Sequence, residues 1–290
     1  MKNSTLSASS AFVNKCKLTF LILGFMVLGS QVSFGQTITV DPGGMVAVTT
    51  TYGTASATPA TFIVSGTTIT GGILITPPSG YQLSQTDATS GYSTAGTPIT
   101  VLGDGTINNT TIYVRLAATT IVGTYTGNIV LTSSGATDQN VATISSDVTA
   151  KALTITGITI SDKVYNATTS ATIAGTAALS GVVNGDDVTL GGTGAAVFTT
   201  AVVGTGKAVN VTGYTLGGAA AGNYSLTQPT GLTANVTAKP LTITGITIND
   251  KVYDATTSAT IAGTAALSGV ETGDVANVTL GGTGAAVFTT

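Results

Sequence analysis

Histidine and tryptophan are absent from this chain, and cysteine occurs once in 290 residues. Without histidine there can be no Ser-His-Asp or Cys-His nucleophile and no His-based zinc or iron site. The single cysteine, Cys16, stands near the N-terminus, so the rest of the chain has no thiol to pair. Each module must then be held by core burial alone, and a module of roughly 90 to 115 residues buries somewhat over 60% of its unfolded surface, which suffices. Charge is sparse as well: 7% of residues are charged, nine of them basic and twelve acidic. Nucleic acid and anionic membranes are held by basic stripes, and none occurs here.

What is present begins with a leader. Lys2, Lys15 and Lys17 precede an apolar run, Leu18 to Gly29, and the small residues Ser33 and Gly35 follow at signal-peptidase spacing. Residues 1–35 read as a secretory signal peptide whose apolar run is too short to span a bilayer. Gln36 becomes the first mature residue. Cys16 precedes the apolar run, where a lipoprotein cysteine would follow it. Three lysines leave with the leader, so six basic groups face twelve acidic ones and the mature net charge is −6. Solubility falls to hydroxyls: threonine makes up about a fifth of the chain. Being β-branched and polar, it suits the wet face of a strand.

Period-2 alternation runs through the mature chain, and no long segment has helical spacing. In residues 36–150 the expected strands are Thr37–Val40, Met45–Thr51, Thr61–Ser65, Gly72–Thr76, Ile99–Leu102, Thr111–Ala117, Gly123–Thr132 and Val141–Val148. Asp41-Pro42-Gly43-Gly44, Pro77-Pro78-Ser79-Gly80 and Asp104-Gly105 punctuate them as turns. Seven or eight short strands over this length predict an immunoglobulin-like β-sandwich.

A repeat follows. Lys151 to Thr200 and Lys239 to Thr290 are nearly the same sequence, offset by about 88 residues, the size of a small all-β domain and too long for a solenoid unit. The copies are taken as residues 151–238 and 239–290. The second stops where the first has nearly 40 residues still to run, so the chain reads as part of a longer tandem array. Expected strands in the first copy are Leu153–Ile160, Thr169–Ala174, Val188–Leu190, Ala196–Thr200, Ala208–Thr215 and Leu232–Thr237, with a bulge at Gly157. Asn184–Asp187 is two residues longer in the second copy, an even insertion that predicts a hairpin loop. Lys239-Pro240 opens the second copy without a flexible linker, which predicts a stiff rod. The second copy, lacking counterparts of Ala208–Thr215 and Leu232–Thr237, is expected to expose strand edges.

No residue constellation points to catalysis. The only glutamate, Glu271, aligns with Val183, and Asp254 aligns with Asn166, so neither acid is common to both copies. Asn166 and Asp254 both suit an Asx turn. Gly204-Thr205-Gly206-Lys207 fails as a phosphate loop, since Ala201 and Ala208 stand where glycine and Ser/Thr are required. Gly191-Gly192-Thr193-Gly194 lacks the third glycine of a dinucleotide fingerprint. Asp186 and Asp187 are hard oxygen ligands that calcium would accept, but the D-x-D-x-D-G spacing is missing, and a solvated loop is the preferred reading. Tyr165 and Tyr253 hold equivalent places and are expected to pack a strand end with the hydroxyl at the rim. No catalytic, cofactor or metal residues are assigned.

The motifs Lys163-Val164-Tyr165-Asn166-Ala167-Thr168-Thr169, Gly185-Asp186-Asp187-Val188, Gly222-Asn223-Tyr224-Ser225-Leu226-Thr227 and Val236-Thr237-Ala238-Lys239 resemble the YDG repeat. That resemblance implies a domain found in tandem in large secreted, filamentous-haemagglutinin-like or adhesin-like bacterial proteins. The signature tripeptide is Tyr165-Asn166-Ala167 in one copy and Tyr253-Asp254-Ala255 in the other, and alanine at the third place argues against a positive φ there. Residues 36–150 are similar to immunoglobulin-like modules of secreted multidomain proteins of the Bacteroidota. Thr110 to Leu116 and Gly123 to Ile129 carry that likeness.

Together these readings predict an all-β chain of tandem immunoglobulin-like sandwiches behind a cleaved leader. The expected role is non-catalytic: a stalk or adhesin-like array, secreted or on the bacterial outer surface. It would need no cofactor, insert no mature segment into a membrane, and meet an extracellular partner such as a glycan or cell surface. Two other readings stand beside it: spacer modules of a larger secreted enzyme, and modules that bind polysaccharide themselves.

Overall fold

The computed structural model describes residues 35–289. The leader expected over residues 1–35 lies, all but Gly35, outside the described residues. The chain divides into two compact units, Met1–Val148 and Thr149–Thr290. Among the described residues the fold is all-β, and its only helical segments are two short 3-10 turns at Ala221–Asn223 and Thr272–Asp274. No helix there is long and apolar enough to cross a membrane.

The first unit contains β1 (Thr37–Gly44), β2 (Thr50–Thr51), β3 (Ala60–Ile69), β4 (Ile73–Thr76), β5 (Tyr81–Ser84), β6 (Ile99–Val101), β7 (Gly105–Leu116), β8 (Gly123–Tyr125), β9 (Asn128–Thr132), β10 (Gln139–Ala142) and β11 (Ser146–Thr149). They form sheets β1-β3-β7-β5, β10-β9-β4-β6 and β2-β11-β8. Alternate residues of each four-stranded sheet are sealed from water: Phe62, Val64, Ile112 and Val114 in one, Ile73, Ile75, Ile129 and Leu131 in the other. This is the period-2 pattern of strands with one buried face.

Three expected strands change shape, and each has a local cause. Met45–Thr51 shrinks to Thr50–Thr51, because Val48 spends its N–H on the Ser146 hydroxyl and its carbonyl on the Ser56 hydroxyl rather than on a ladder. Both serines are buried, so these bonds satisfy backbone groups that water cannot reach. Gly123–Thr132 and Val141–Val148 each break in two. At the break Gly127 donates to the Thr143 hydroxyl and accepts from the Thr143 amide, and the segments beyond it join another sheet. The unexpected strand Tyr81–Ser84 hides in a polar stretch. Ser93 ties to it through its hydroxyl and backbone, and Arg115 lies 3.6 Å over the Tyr92 ring while donating to Gln82, so the 85–98 loop is held down.

The first copy builds β12 (Lys151–Ile160), β13 (Lys163–Val164), β14 (Ser170–Ala171), β15 (Ile173–Ser180), β16 (Thr189–Phe198), β17 (Gly204–Gly217), β18 (Tyr224–Thr227) and β19 (Leu232–Thr237). These form sheets β15-β12-β18 and β13-β19-β17-β16-β14. Ile158 and Ile160 from one sheet meet Phe198, Val209, Val211 and Val236 from the other in one core. The bulge at Gly157 forms as its sequence predicts: the register shifts between Thr156 and Ile158, and Gly157 has φ 81°. Gly175 stands across from it, and a Cβ on either residue would strike the facing backbone carbonyl.

Two expectations are corrected. Asn184–Asp187 is not a hairpin: it connects β15 in one sheet to β16 in the other, because β15 pairs with β12 and β16 with β17. Alanine does adopt a positive φ at the third signature position, 56° at Ala167 and 60° at Ala255. The surrounding turn imposes it. The Asn166 carboxamide oxygen accepts from the Thr168 amide and hydroxyl, and the Lys163 ammonium bonds to the Thr168 and Ser170 carbonyls. Asp254, Thr256, Lys251 and Ser258 repeat the same bonds.

The second copy contributes β20 (Thr242–Ile248), β21 (Ser258–Ala259), β22 (Ile261–Ser268) and β23 (Ala286–Val287). β20 pairs with β22 in the same register and with the same bulge as β12 with β15. Its apolar face is open: Leu241 is 38% exposed where Leu153 is 0%, and Ile246 is 42% exposed where Ile158 is 9%. The strand also starts later. Lys151–Thr154 is drawn into β12 by parallel pairing with β18, and no strand of that kind lies beside Lys239–Thr242 among the described residues.

Candidate functional site

The most elaborate side-chain arrangement in the second unit lies where the first copy hands over to the second. Its geometry starts from β13. Lys163 and Val164 pair in parallel with Val236 and Thr237, the last residues of β19. The next residue, Tyr165, donates its amide to the Thr237 carbonyl at 2.8 Å. The signature tyrosine therefore stands beside the point where the chain leaves the first copy. Its ring packs against the core of that copy, and its hydroxyl reaches out.

Tyr165 donates that hydroxyl to Asp274 of the second copy at 2.7 Å. The carboxylate favours the neutral phenol, so the Tyr165 pKa is raised above the ordinary tyrosine value. Beside it Lys239, the first residue of the second copy, pairs with Glu271 at 2.5 Å. Both partners are partly exposed, so the pair contributes at most about 1 kcal/mol in water. Between the two bonds lies a mostly apolar cavity of about 140 Å³ walled by Val203, Leu241, Val270 and Val278. Ligand pockets run to roughly 300–1,000 Å³. The cavity is thus too small for a sugar-sized ligand and reads as the packed seam of a joint.

The residues singled out in the sequence take structural places. Asp186 accepts from the Tyr224 hydroxyl, and Asp187 accepts from the Ala219 amide, so both acids turn inward to their own copy. Among the described residues no group of three or more His, Cys, Asp or Glu is placed to hold a metal ion. Asn166 and Asp254 form the Asx turns expected of them. The Lys251 ammonium, 2.6 Å away, and the Thr256 amide hold the Asp254 carboxyl below the usual carboxylate range. Gly204-Thr205-Gly206-Lys207 opens β17, with Lys207 turned to Thr200 and Val202. Gly191-Gly192-Thr193-Gly194 lies inside β16. Of the two equivalent tyrosines, Tyr165 packs as expected, whereas Tyr253 is 91% exposed. The strands that would form its core have no counterpart beside it among the described residues.

From the sequence, Asp274 is weighed only as the counterpart of Asp186 and its bond to Tyr165 is missed, yet a signal that this loop is special existed. The two copies agree almost everywhere except in the loop that contains Glu271 and Asp274, where valine becomes glutamate and two residues are inserted.

Comparison with curated proteins finds no match to the chain. Residues 149–231 and 237–290 match the family model of the YDG domain.

Proposed function

We propose that this chain is a non-catalytic, secreted or cell-surface modular protein in which immunoglobulin-like and YDG-type domains stack into a stalk or adhesin-like array. The observation that carries this reading is the joint: four residues, 238–241, separate β19 from β20, and the Tyr165–Asp274 bond ties one copy to the other, while Lys239–Glu271 braces the second copy's side. A device whose work is reach needs stiff connections between small domains rather than a deep pocket. A ten-residue strand spans roughly 33 Å, so each domain adds on the order of 30–40 Å. The hydroxyl-rich surface and low charge suit a chain exposed to water without a nucleic-acid partner. The leader over residues 1–35 supplies the route of export.

The reading is tested in a bacterium expressing the chain with a C-terminal tag. Protease added to intact cells should remove the tag, and N-terminal sequencing of the undigested product should begin at Gln36. A tag protected until lysis, on a chain that keeps residues 1–35, would overturn it.

A further inference from the structure

The two copies place the same loop in opposite directions. In the first copy it folds inward: the Val183 amide donates to the Tyr224 hydroxyl, that hydroxyl donates to Asp186, and Asp187 binds the Ala219 and Ala220 amides through its carboxylate and carbonyl. In the second copy it faces the preceding domain through Asp274, while Glu271 pairs with Lys239 of its own copy. Asp186 and Asp274 are equivalent positions with different partners.

We propose that Val270–Val278 is a docking element whose sequence selects a YDG-type domain as its N-terminal neighbour. The copy that follows a YDG domain has Glu271, which pairs with Lys239 and ties the loop to the start of its own copy. The copy that follows residues of another kind has Val183, which cannot form that pair with Lys151. The inserted Val275-Ala276 adds a turn in which the Asp274 carbonyl accepts from the Asn277 and Val278 amides at 2.8 and 3.0 Å. That turn caps Asp274 while its carboxylate meets Tyr165. The partner surface is the Tyr165 end of a YDG domain: a phenol donor beside the exiting strand, with Val203 as its apolar margin. Domain order in the chain is then written in one loop. This assignment stands or falls whether or not the chain is displayed outside a cell.

The test uses the full chain with spin labels on Thr193→Cys and Thr264→Cys, exposed sites on the two copies. Pulsed electron resonance of this chain should give one narrow distance distribution. A second chain carries the first copy's loop: Glu271→Val, Thr272→Asn, Asn277→Asp, with Val275 and Ala276 deleted. It should lose the narrow distribution, while hydrogen exchange in β12 and β17 stays unchanged. Asp274→Asn alone should broaden the distribution to an intermediate degree, which keeps the test valid if the loop exchange disturbs β22. The opposing idea is that Asp274 turns outward only because no counterpart of Tyr224 lies within the 290 residues. In that case the exchanged loop would dock as well as the native one. A narrow distribution in the loop-exchanged chain, or a broad one in the native chain, would overturn the proposal.

Discussion

Tyr165 and Asp274 stand 109 positions apart in the chain and share one hydrogen bond, phenol to carboxylate, at 2.7 Å. The bond makes Tyr165 a reporter of the joint. Because the phenol pKa is raised in the folded state, the bond's contribution is fully present below the ordinary tyrosine value near 10 and is lost as pH rises through the raised value. Phenolate absorbance should therefore show two late-titrating tyrosines, Tyr165 and Tyr92, the latter raised by burial. In Asp274→Asn Tyr165 alone should return toward the ordinary range. An unchanged titration would mean that the carboxylate is not its partner in solution.

Ala167 and Ala255 occupy left-handed backbone that costs an L-residue about 1–2 kcal/mol. Glycine removes that strain but loses roughly 0.5–1 kcal/mol of backbone entropy on folding. Ala167→Gly should therefore stabilise the first copy by about 0.5–1 kcal/mol, read as a higher urea midpoint. Ala167→Val should lower the midpoint, since a β-branched side chain tolerates this region poorly.

Gly157 and Gly175 make the opposite demand. A methyl at either place meets both an unfavourable φ and a facing carbonyl, with backbone rather than a yielding side chain in the way. Gly175→Ala should cost about 2 kcal/mol or more. Gly185→Ala has open space and should cost only the conformational penalty, about 1 kcal/mol. Chemical denaturation of the two variants separates a clash from a simple dihedral preference.

Leu153 and Leu241 are equivalent residues in different surroundings, one fully buried and one exposed. Leu153→Ala should cost about 2–5 kcal/mol. Leu241→Ala should change stability by less than about 1 kcal/mol. Hydrogen exchange should likewise protect β12 far more than β20. Equal protection in both strands would show that the second copy finds cover in solution.

Acid should loosen the closing strand of the first copy. The Asn235 amide and carboxamide both donate to Asp162 and hold its carboxyl below the usual range. The depressed value makes that stabilisation complete above the ordinary aspartate value near 4, and it disappears as pH falls through the lower folded-state value. Unfolding midpoints measured from pH 6 downward should fall less steeply in Asp162→Asn than in the native chain.

Much of the fold was legible because Thr/Val/Ile alternation reports one-sided burial directly. Leu232–Thr237 matches its expected limits, and Gly157 announced its own bulge. What stayed hidden depended on partners distant in sequence. Val48 left the ladder for Ser146 and Ser56, and Tyr81–Ser84 was recruited by β7 from a polar stretch. The pairing at the inter-copy joint stayed hidden for the same reason: the loop difference marks Asp274, but nothing near Tyr165 names it as the partner. Ala167 misled because side-chain preference was weighed without the Lys163 and Asn166 bonds that override it.

The central claim is that the two copies are held as one body by the Tyr165–Asp274 bond, with Lys239–Glu271 bracing the second copy's side of the joint, and residual dipolar couplings test it most directly. Amide couplings from β12, β16 and β17 and those from β20 and β22 should fit a single alignment tensor in the native chain. They should split into two tensors in a Tyr165→Phe, Glu271→Val chain. Two unrelated tensors in the native chain would contradict the account.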